Sequence, residues 1–262
     1  MIIDVHVHIY PDKIAKKASD TIGEFYEIDM CYDGSLTQLI EDGKMGGVDK
    51  FVIHSAATAP RQVESINDFI YATYAAHPDV FIPLGTMHVD YENIEQEIRR
   101  IRDLGFKGIK IHPEFQKFEA DCEAAYRIYE VLERLGMILL IHAGDRRYHL
   151  SSPARIANII RDFPSLKVLA AHFGGYSEWE NIERDLKPSD NLFVDTSSSF
   201  FMLSDEQIME LIRYFGVEHT MFGTDYPMWN ARDEIARINA LELNEKEKRM
   251  IFSDNAIRFF GL

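Results

Sequence analysis

Histidines recur at one kind of position in this chain of 262 residues: seven of the ten stand at or just after the end of a short apolar run. The seven are His6, His8, His54, His88, His112, His142 and His172, and two further apolar runs end in Asp195 and Asp225. Neutral imidazoles combined with carboxylates are the ligands that Zn²⁺ and similar divalent ions prefer. Because a bound divalent ion lowers the pKa of its water from about 15.7 to about 7, such a set predicts metal-assisted chemistry at neutral pH.

The first two histidines lie two residues apart in the N-terminal run MIIDVHVHIYP. Side chains at positions i and i+2 of a strand point to the same face, so we expect Asp4, His6 and His8 to project together. Two imidazoles on one face can both reach a single ion. A polar stripe on an exposed strand is the alternative, and the rest of the chain must decide between the two.

Eight apolar runs alternate with amphipathic segments, and this alternation predicts the fold. The runs are IIDVHVH, KFVIHS, FIPLGTMH, FKGIKIH, MILLIHA, LKVLAAH, NLFVDTS and HTMFGTD. Segments such as NIEQEIRRIRDLG have helical spacing, and we expect a last helix at about residues 244–260. Eight strands, each followed by a helix, favour an α/β fold closed as a (β/α)₈ TIM barrel, with one domain over residues 1–262. An open doubly wound sheet is the alternative, but no GxGxxG loop follows the first strand.

The acidic composition of the chain limits the kinds of molecule that it can bind. The formal net charge is −15 and the sequence pI is about 5.1. Nucleic acid and anionic membranes are therefore poor partners, because phosphate groups are bound by basic surfaces. Two cysteines without CxxC spacing argue against a disulfide framework or a thiolate metal site. With no signal-like N-terminus and no apolar stretch of about 18 residues, we expect a cytoplasmic protein that acts on a small molecule, with a homo-oligomer as an option.

Five motifs resemble those of one enzyme family. They are DVHVH in the first run, LLIHAGD in the fifth, AAHFGGYSEWENI in the sixth, LFVDTSS in the seventh and MFGTDYP in the eighth. Together they resemble the amidohydrolase superfamily, and more closely its amidohydrolase-related branch, which includes the aminocarboxymuconate semialdehyde decarboxylase-like enzymes. The resemblance spans essentially the whole chain and also implies a TIM barrel.

The resemblance implies a metal centre made of four residues. His6, His8, His142 and Asp225 would hold one divalent ion, most often zinc, with manganese or another divalent ion as an alternative. Asp225 would also be catalytic, and His172 would lie beside the substrate as a second catalytic group. The alternative role for Asp225 is a helix N-cap, which aspartate often provides.

Relatives with two metals place the second ion on the histidines of the fifth and sixth strands, bridged from the fourth strand. This sequence offers Lys110 there, and His172 as the sixth-strand ligand. Lys110 could be a carboxylated bridge, an ammonium that anchors the substrate, or a partner for a nearby carboxylate. We favour the site with one metal.

Substrate contacts are expected from the loops that follow the strands. Arg146 and Arg147 in HAGDRRYH would hold a substrate carboxylate, although two adjacent arginines are equally often a solvated pair. His112 and Trp179 are the other two residues that we expect beside the substrate.

Three functions fit these residues. The first is a metal-dependent hydrolase of an amide, ester or lactone, and the second is a non-oxidative decarboxylase of a small carboxylic acid. The third is an inactive barrel that keeps its metal for stability. The region between the first strand and its helix is short, at about residues 9–47, and leaves less material for a loop that caps the site. We therefore expect the hydrolase, with the decarboxylase as the alternative.

Overall fold

Eight parallel strands in chain order form the sheet in the computed structural model, which describes residues 1–262. The strands are β1 (Ile3–His8), β2 (Lys50–His54), β3 (Phe81–Thr86), β4 (Gly108–Ile111), β5 (Ile138–Ile141), β6 (Val168–Ala170), β7 (Leu192–Asp195) and β8 (Thr220–Met221). Each strand pairs with the next one along the chain, from β1 to β8. This order without crossing is the order of a barrel and differs from that of a doubly wound sheet.

Helices follow the strands and cover the outside of the sheet. They are α1 (Asp12–Tyr26), α2 (Leu36–Gly46), α3 (Val63–Ala76), α4 (Ile94–Asp103), α5 (Pro113–Gln116), α6 (Glu123–Leu135), α7 (Pro153–Asp162), α8 (Ile182–Asp185), α9 (Asp205–Phe215), α10 (Ala231–Ala240), α11 (Glu245–Arg249) and α12 (Asn255–Phe260). A π-helical turn, Met250–Asp254, joins the last two, so the helix expected near residues 244–260 is present in three consecutive pieces. None of the helices is both long and apolar enough to cross a membrane.

Backbone hydrogen bonds between β1 and the residues that follow β8 close the barrel. The N–H of Val5 donates to the carbonyl of Phe222 at 3.0 Å, and the N–H of Asp225 donates to that of His6 at 2.9 Å. One step further, the N–H of His8 donates to the carbonyl of Tyr226 at 2.8 Å. The predicted (β/α)₈ barrel is therefore confirmed.

The prediction that Asp4 shares a face with His6 and His8 is wrong, because β1 contains a bulge. The pairing of β1 with β2 shifts by one residue between Asp4 and Val7. An extra residue changes which side chains alternate inward, so Asp4 leaves the face that carries the two histidines. Its carboxylate instead accepts hydrogen bonds from the backbone N–H and the hydroxyl of Thr224, at 3.0 and 2.6 Å.

The protein has two separate hydrophobic cores, one on each face of the sheet. The larger lies between the strands and the helices, and a smaller one fills the barrel interior with residues such as Val5, Leu84 and Leu140. Phe259 and Phe260 of α12 belong to the inner core and close its lower end. Because apolar side chains fill this part of the interior, the polar side chains are confined to the C-terminal ends of the strands, where TIM-barrel enzymes carry their sites.

One carboxyl group packed outside the barrel makes the fold sensitive to pH. Glu234 of α10 is buried and its Oε2 has no hydrogen-bond partner. Burial is the main cause that raises the pKa of this carboxyl group from 4.5 to about 8; Arg237 acts against it and Asp4 acts with it. Between these two pKa values the folded protein binds more protons than the unfolded chain, so the free energy of unfolding falls as the pH rises.

Replacing Glu234 with glutamine should therefore stabilise the protein at alkaline pH. We expect a gain of roughly 2–4 kcal/mol in the free energy of unfolding at pH 9, and none near pH 4, where the glutamate is protonated in both states. Urea unfolding across this pH range measures the effect. The exposed Glu242 supplies the control. Glu242→Gln should change the free energy of unfolding only slightly, and by the same amount near pH 4 and at pH 9. A gain for Glu234→Gln that does not depend on pH would contradict this account.

Candidate metal centre

Polar side chains line the upper interior of the barrel, at the C-terminal ends of the strands. All of them are buried, and they come from all eight strands or the residues just after them: His6, His8, His54, Thr86, Lys110, His112, His142, His172, Asp195, Ser197 and Asp225. The barrel thus gathers residues that are up to 219 positions apart in the sequence (225 − 6 = 219). Six of the seven histidines expected at strand ends belong to this set, whereas the ring of the seventh, His88, accepts a hydrogen bond from the backbone N–H of Asp90 at 3.2 Å.

Three of the four predicted ligands meet within hydrogen-bond distance or slightly beyond it. The Nε2 atoms of His6 and His8 lie 3.3 Å apart, and Asp225 Oδ1 lies 3.3 Å from the first and 3.4 Å from the second. Gly223 allows this close approach, since a Cβ at that position would lie 3.0 Å from the Cβ of His6. The glycine of the GTD motif therefore leaves room for the first histidine.

Acceptors outside the centre fix the proton position on three of the rings. The pairs are His6 Nδ1–H to Asp195 Oδ2 at 3.0 Å, His142 Nε2–H to the Gly144 carbonyl at 2.8 Å, and His172 Nδ1–H to the Ser197 carbonyl at 2.9 Å. The inner nitrogens are then acceptors, and those of His142 and His172 lie 3.0 Å apart. Inward lone pairs held by outward hydrogen bonds are the arrangement of metal-binding histidines, so these residues fit a divalent cation.

Burial keeps the imidazoles neutral, as metal ligands must be. Desolvation, with Lys110 as a second cause, lowers the pKa of His6 to about 4. Desolvation likewise lowers the pKa of His8 and holds that of His142 well below its usual value. Since a protonated ring has no lone pair for a metal, these shifts favour binding of a cation at neutral pH.

Lys110 is the only lysine or arginine among the buried residues. Its Nζ lies 2.9 Å from His6 Nε2, on the side of the ring that faces the centre. Desolvation lowers the pKa of this amine to about 8, although Asp225 and Asp195 act in the opposite direction. The fourth strand therefore brings a positive charge directly to the predicted metal ligands.

Asp225 is held by contacts that the sequence did not reveal. The hydroxyl of Ser198 donates to Asp225 Oδ2 at 2.6 Å, and the indole N–H of Trp229 donates to that hydroxyl oxygen at 2.9 Å. Burial opposes ionisation, yet the neighbouring imidazoles, His6 first among them, hold the pKa of Asp225 well below its usual range. The helix that follows is capped by Asn230, so Asp225 is not an N-cap.

Backbone strain is concentrated at this site. Asp225 has a φ of +63°, His172 a φ of +57° and Ser198 a φ of +48°, all in the left-handed region that non-glycine residues rarely adopt. Such residues cost about 1–3 kcal/mol each and persist where the surrounding structure holds them. The two residues expected to be catalytic are thus both in strained positions.

His54 is a further candidate that sequence reasoning left without a role. Its ring lies 4.4 Å from that of His8 and 5.1 Å from that of His6, and it is fully buried. Neither ring nitrogen has a hydrogen-bond partner. In the sequence, only its position at the end of the second apolar run indicated that it lies at the site.

The predicted substrate-binding residues separate into two groups. Arg146 donates to Glu180 at 2.9 Å, and Arg147 forms two bonds with Asp145 at 2.7 and 2.9 Å. Both guanidinium groups thus pair with carboxylates of the loops, and neither lines the cavity above the centre. Trp179 donates its indole N–H to the carbonyl of His172 at 2.8 Å, which fixes the loop after β6.

His112 does line the cavity, together with the end of α1. The cavity also touches His6, His8, His142, Asp225 and the side chains of Ile22, Tyr26, Phe115, Pro227 and Met228. Its volume is about 20 Å³, which holds roughly one water molecule. The expectation that the segment after β1 is too short to cap the site is therefore wrong, because α1 roofs it.

A family model described as amidohydrolase matches residues 3–262. The chain belongs to the amidohydrolase family. This match covers nearly the whole chain and confirms the resemblance that the motifs suggested. Membership of this family of enzymes agrees with a buried set of imidazoles and carboxylates at the C-terminal end of a barrel.

Three known proteins are similar to this chain in sequence or in fold. A 2-amino-3-carboxymuconate-6-semialdehyde decarboxylase from Dictyostelium discoideum is 26% identical over 235 residues, which cover 75% of this chain and 66% of that protein. The chain thus matches slightly less than two thirds of the length of that relative. A 5-carboxyvanillate decarboxylase from Sphingomonas paucimobilis has a TM-score of 0.75 and 19% identity, with 100% of this chain and 99% of the other covered. A dihydroxybenzoic acid decarboxylase from a Polaromonas species, solved with bound manganese, has a TM-score of 0.74 and 16% identity, over 100% and 97% of the two chains.

Proposed function

We propose that this amidohydrolase-family chain is a divalent-metal-dependent decarboxylase of a small carboxylic acid. The observation that carries the proposal is the buried ammonium of Lys110, 2.9 Å from His6 in the centre of the site. A substrate carboxylate would pair with this ammonium, whereas a neutral amide, ester or lactone offers it no negative charge. The decarboxylase names of the three similar proteins support the same choice.

His6, His8, His142 and Asp225 would hold the metal ion in this proposal. Manganese is bound in one similar decarboxylase, and imidazole and carboxylate donors suit zinc as well as manganese. A divalent ion at this position supplies electrostatic stabilisation for negative charge that develops on the substrate. His172, whose inner nitrogen lies 3.0 Å from that of His142, and Lys110 would be the further ligands if a second ion binds.

The chain's own residues account for the remaining steps. Lys110 binds the carboxylate, and the roof formed by α1 excludes water. Asp225 has a depressed pKa and enters the reaction as a carboxylate, so it accepts a proton from an acidic group of the substrate. When the carbon–carbon bond breaks and CO₂ leaves, the electron pair stays on the substrate carbon, and Asp225 returns the proton to it.

Hydrolysis, which we expected first from the sequence, would use the same metal ligands. An experiment must therefore distinguish it from decarboxylation. Protein loaded with Mn²⁺ or Zn²⁺ should release CO₂ from at least one member of a panel of hydroxybenzoic and unsaturated carboxylic acids. The same protein should leave a matched panel of lactones and amides unchanged, and the organic product formed from the acid should carry no oxygen from ¹⁸O-labelled water. Turnover of a lactone or amide with incorporation of labelled oxygen, and no CO₂ from the acids, would replace the decarboxylase with the hydrolase.

A further inference from the structure

Tyr26, in the last turn of α1, reaches the candidate site from above. Its ring is packed among Phe25, Phe115 and Tyr176, with centroid distances between 4.8 and 5.8 Å. The phenol oxygen lies 3.1 Å from Nε2 of His112 and has no other hydrogen-bond partner. The ring is thus fixed by packing while its hydroxyl faces polar groups.

Hydrogen bonding of His112 determines which way the tyrosine proton points. The backbone N–H of Phe115 donates to His112 Nδ1 at 3.4 Å, so this nitrogen is the acceptor of the ring. A ring nitrogen that accepts a hydrogen bond carries no proton, so the one proton of this ring is on Nε2. His112 therefore donates from Nε2 to the Tyr26 oxygen, and the hydroxyl proton of Tyr26 stays free.

The free proton faces the cavity above the centre. Tyr26 lines this cavity together with His8, His142 and Asp225, and the space of about 20 Å³ holds one oxygen-sized group. Ile22, Phe115, Pro227 and Met228 supply the apolar part of the lining, and His6 and His112 complete it. A ligand entering here thus meets one phenol donor in a largely apolar upper wall.

Arg147 holds Tyr26 in this position. Its guanidinium donates to the carbonyl of Phe25 at 2.6 Å and lies over the rings of Phe25 and Tyr26, at 4.6 and 5.1 Å. The two hydrogen bonds that the guanidinium donates to Asp145 fix it from the other side. Arg147 thus ties the end of α1 to the loop after β5.

We infer that Tyr26 is a substrate-specificity residue whose hydroxyl donates a hydrogen bond to an oxygen atom of the bound acid, and that Arg147 is the positioning residue for it. The inference rests on the proposed function and narrows its substrate class. The preferred acid is small and largely apolar, and it carries a hydroxyl or carbonyl oxygen besides its carboxylate. Because the space beneath the roof is only about 20 Å³, any such acid enters only when the end of α1 moves.

Binding of benzoate and its 2-, 3- and 4-hydroxy isomers to the Mn²⁺-loaded protein, measured by titration calorimetry, tests the inference. For the wild-type protein we expect at least one hydroxy isomer to bind about fivefold to tenfold more tightly than benzoate, the usual range for one neutral hydrogen bond. In Tyr26→Phe this preference should fall to within about twofold while benzoate affinity is unchanged. Arg147→Lys should weaken the same preference by a smaller factor, since lysine cannot keep both bonds to Asp145.

The neighbouring Tyr148 supplies the control. It is half exposed on the same loop and its ring stacks on Phe25 at 5.6 Å, so Tyr148→Phe should leave all four affinities unchanged. Thermal unfolding of each variant confirms that it is folded. A preference that survives Tyr26→Phe, or a wild-type protein that binds all four acids equally, would overturn the inference. CO₂ release is measured separately, so a failed decarboxylase proposal is distinguishable from a failed role for Tyr26.

Discussion

Replacing Asp225 with asparagine should lower kcat for the decarboxylation reaction by about 10³-fold or more while leaving the protein folded. The amide has nearly the shape of the carboxylate and can still accept the hydrogen bond that Ser198 donates at 2.6 Å. It cannot take up a proton from the substrate or return one to carbon. The loss should therefore appear in kcat, the rate of the bound complex, rather than only in KM.

Asparagine is the right substitution because of the backbone at this position. Asp225 has a φ of +63°, and among non-glycine residues asparagine and aspartate tolerate that region best. Alanine would add backbone strain to the loss of the carboxylate, and the two effects would be confounded. The thermal midpoint of Asp225→Asn should thus stay within a few degrees of the wild type.

Asp195→Asn is the matched control. Asp195 is also a buried aspartate of a strand end, but it accepts the Nδ1–H of His6 at 3.0 Å and does not line the cavity. Loss of such an outer hydrogen bond typically costs a metal site about 10–100-fold in affinity, so kcat should recover when Mn²⁺ is saturating. Metal analysis and steady-state kinetics separate the two outcomes. If Asp225→Asn keeps more than a tenth of wild-type kcat at saturating metal, Asp225 does not transfer the proton.

The positions of most site residues follow from sequence because a parallel barrel brings all strand ends to one face. His142, His172 and Asp225 stand at the ends of apolar runs, and that was enough to bring them together. This part of the fold can be predicted from local sequence, because each strand–helix unit is recognisable from its own residues. Side chains at corresponding positions of successive units therefore meet.

Other features depend on contacts between distant segments and have no local signal. The bulge that turns Asp4 away from His6 is visible only in the pairing of β1 with β2. Arg147 has the type and place expected of a residue that binds a carboxylate, yet its guanidinium is taken by Asp145 and by the carbonyl of Phe25. Sequence gives the type of a side chain and its element, but its partner is fixed only by packing.

Lys110→Met should raise KM for the acid substrate by about 10–100-fold and change kcat less. Methionine keeps much of the length and apolar volume of the lysine stem, so the buried position remains filled. What is lost is the charged hydrogen-bond donor, the only buried ammonium or guanidinium of the chain. Binding of a carboxylate-bearing substrate should suffer accordingly, whereas an uncharged lactone or amide would not be affected.

The same variant distinguishes the three roles considered for Lys110. If Lys110 is an ammonium that anchors the substrate, the wild-type protein binds about one metal ion per chain and Lys110→Met binds the same number. If it is a carboxylated bridge between two ions, native mass spectrometry of the wild type shows the added mass of one CO₂, and the metal ratio falls from about two to about one in the variant. If it only pairs with a carboxylate such as Asp225 or Asp195, the variant loses stability but keeps its KM. We expect the first result, because Lys110 Nζ lies beside the inner nitrogen of His6 at 2.9 Å and forms no hydrogen bond with either aspartate.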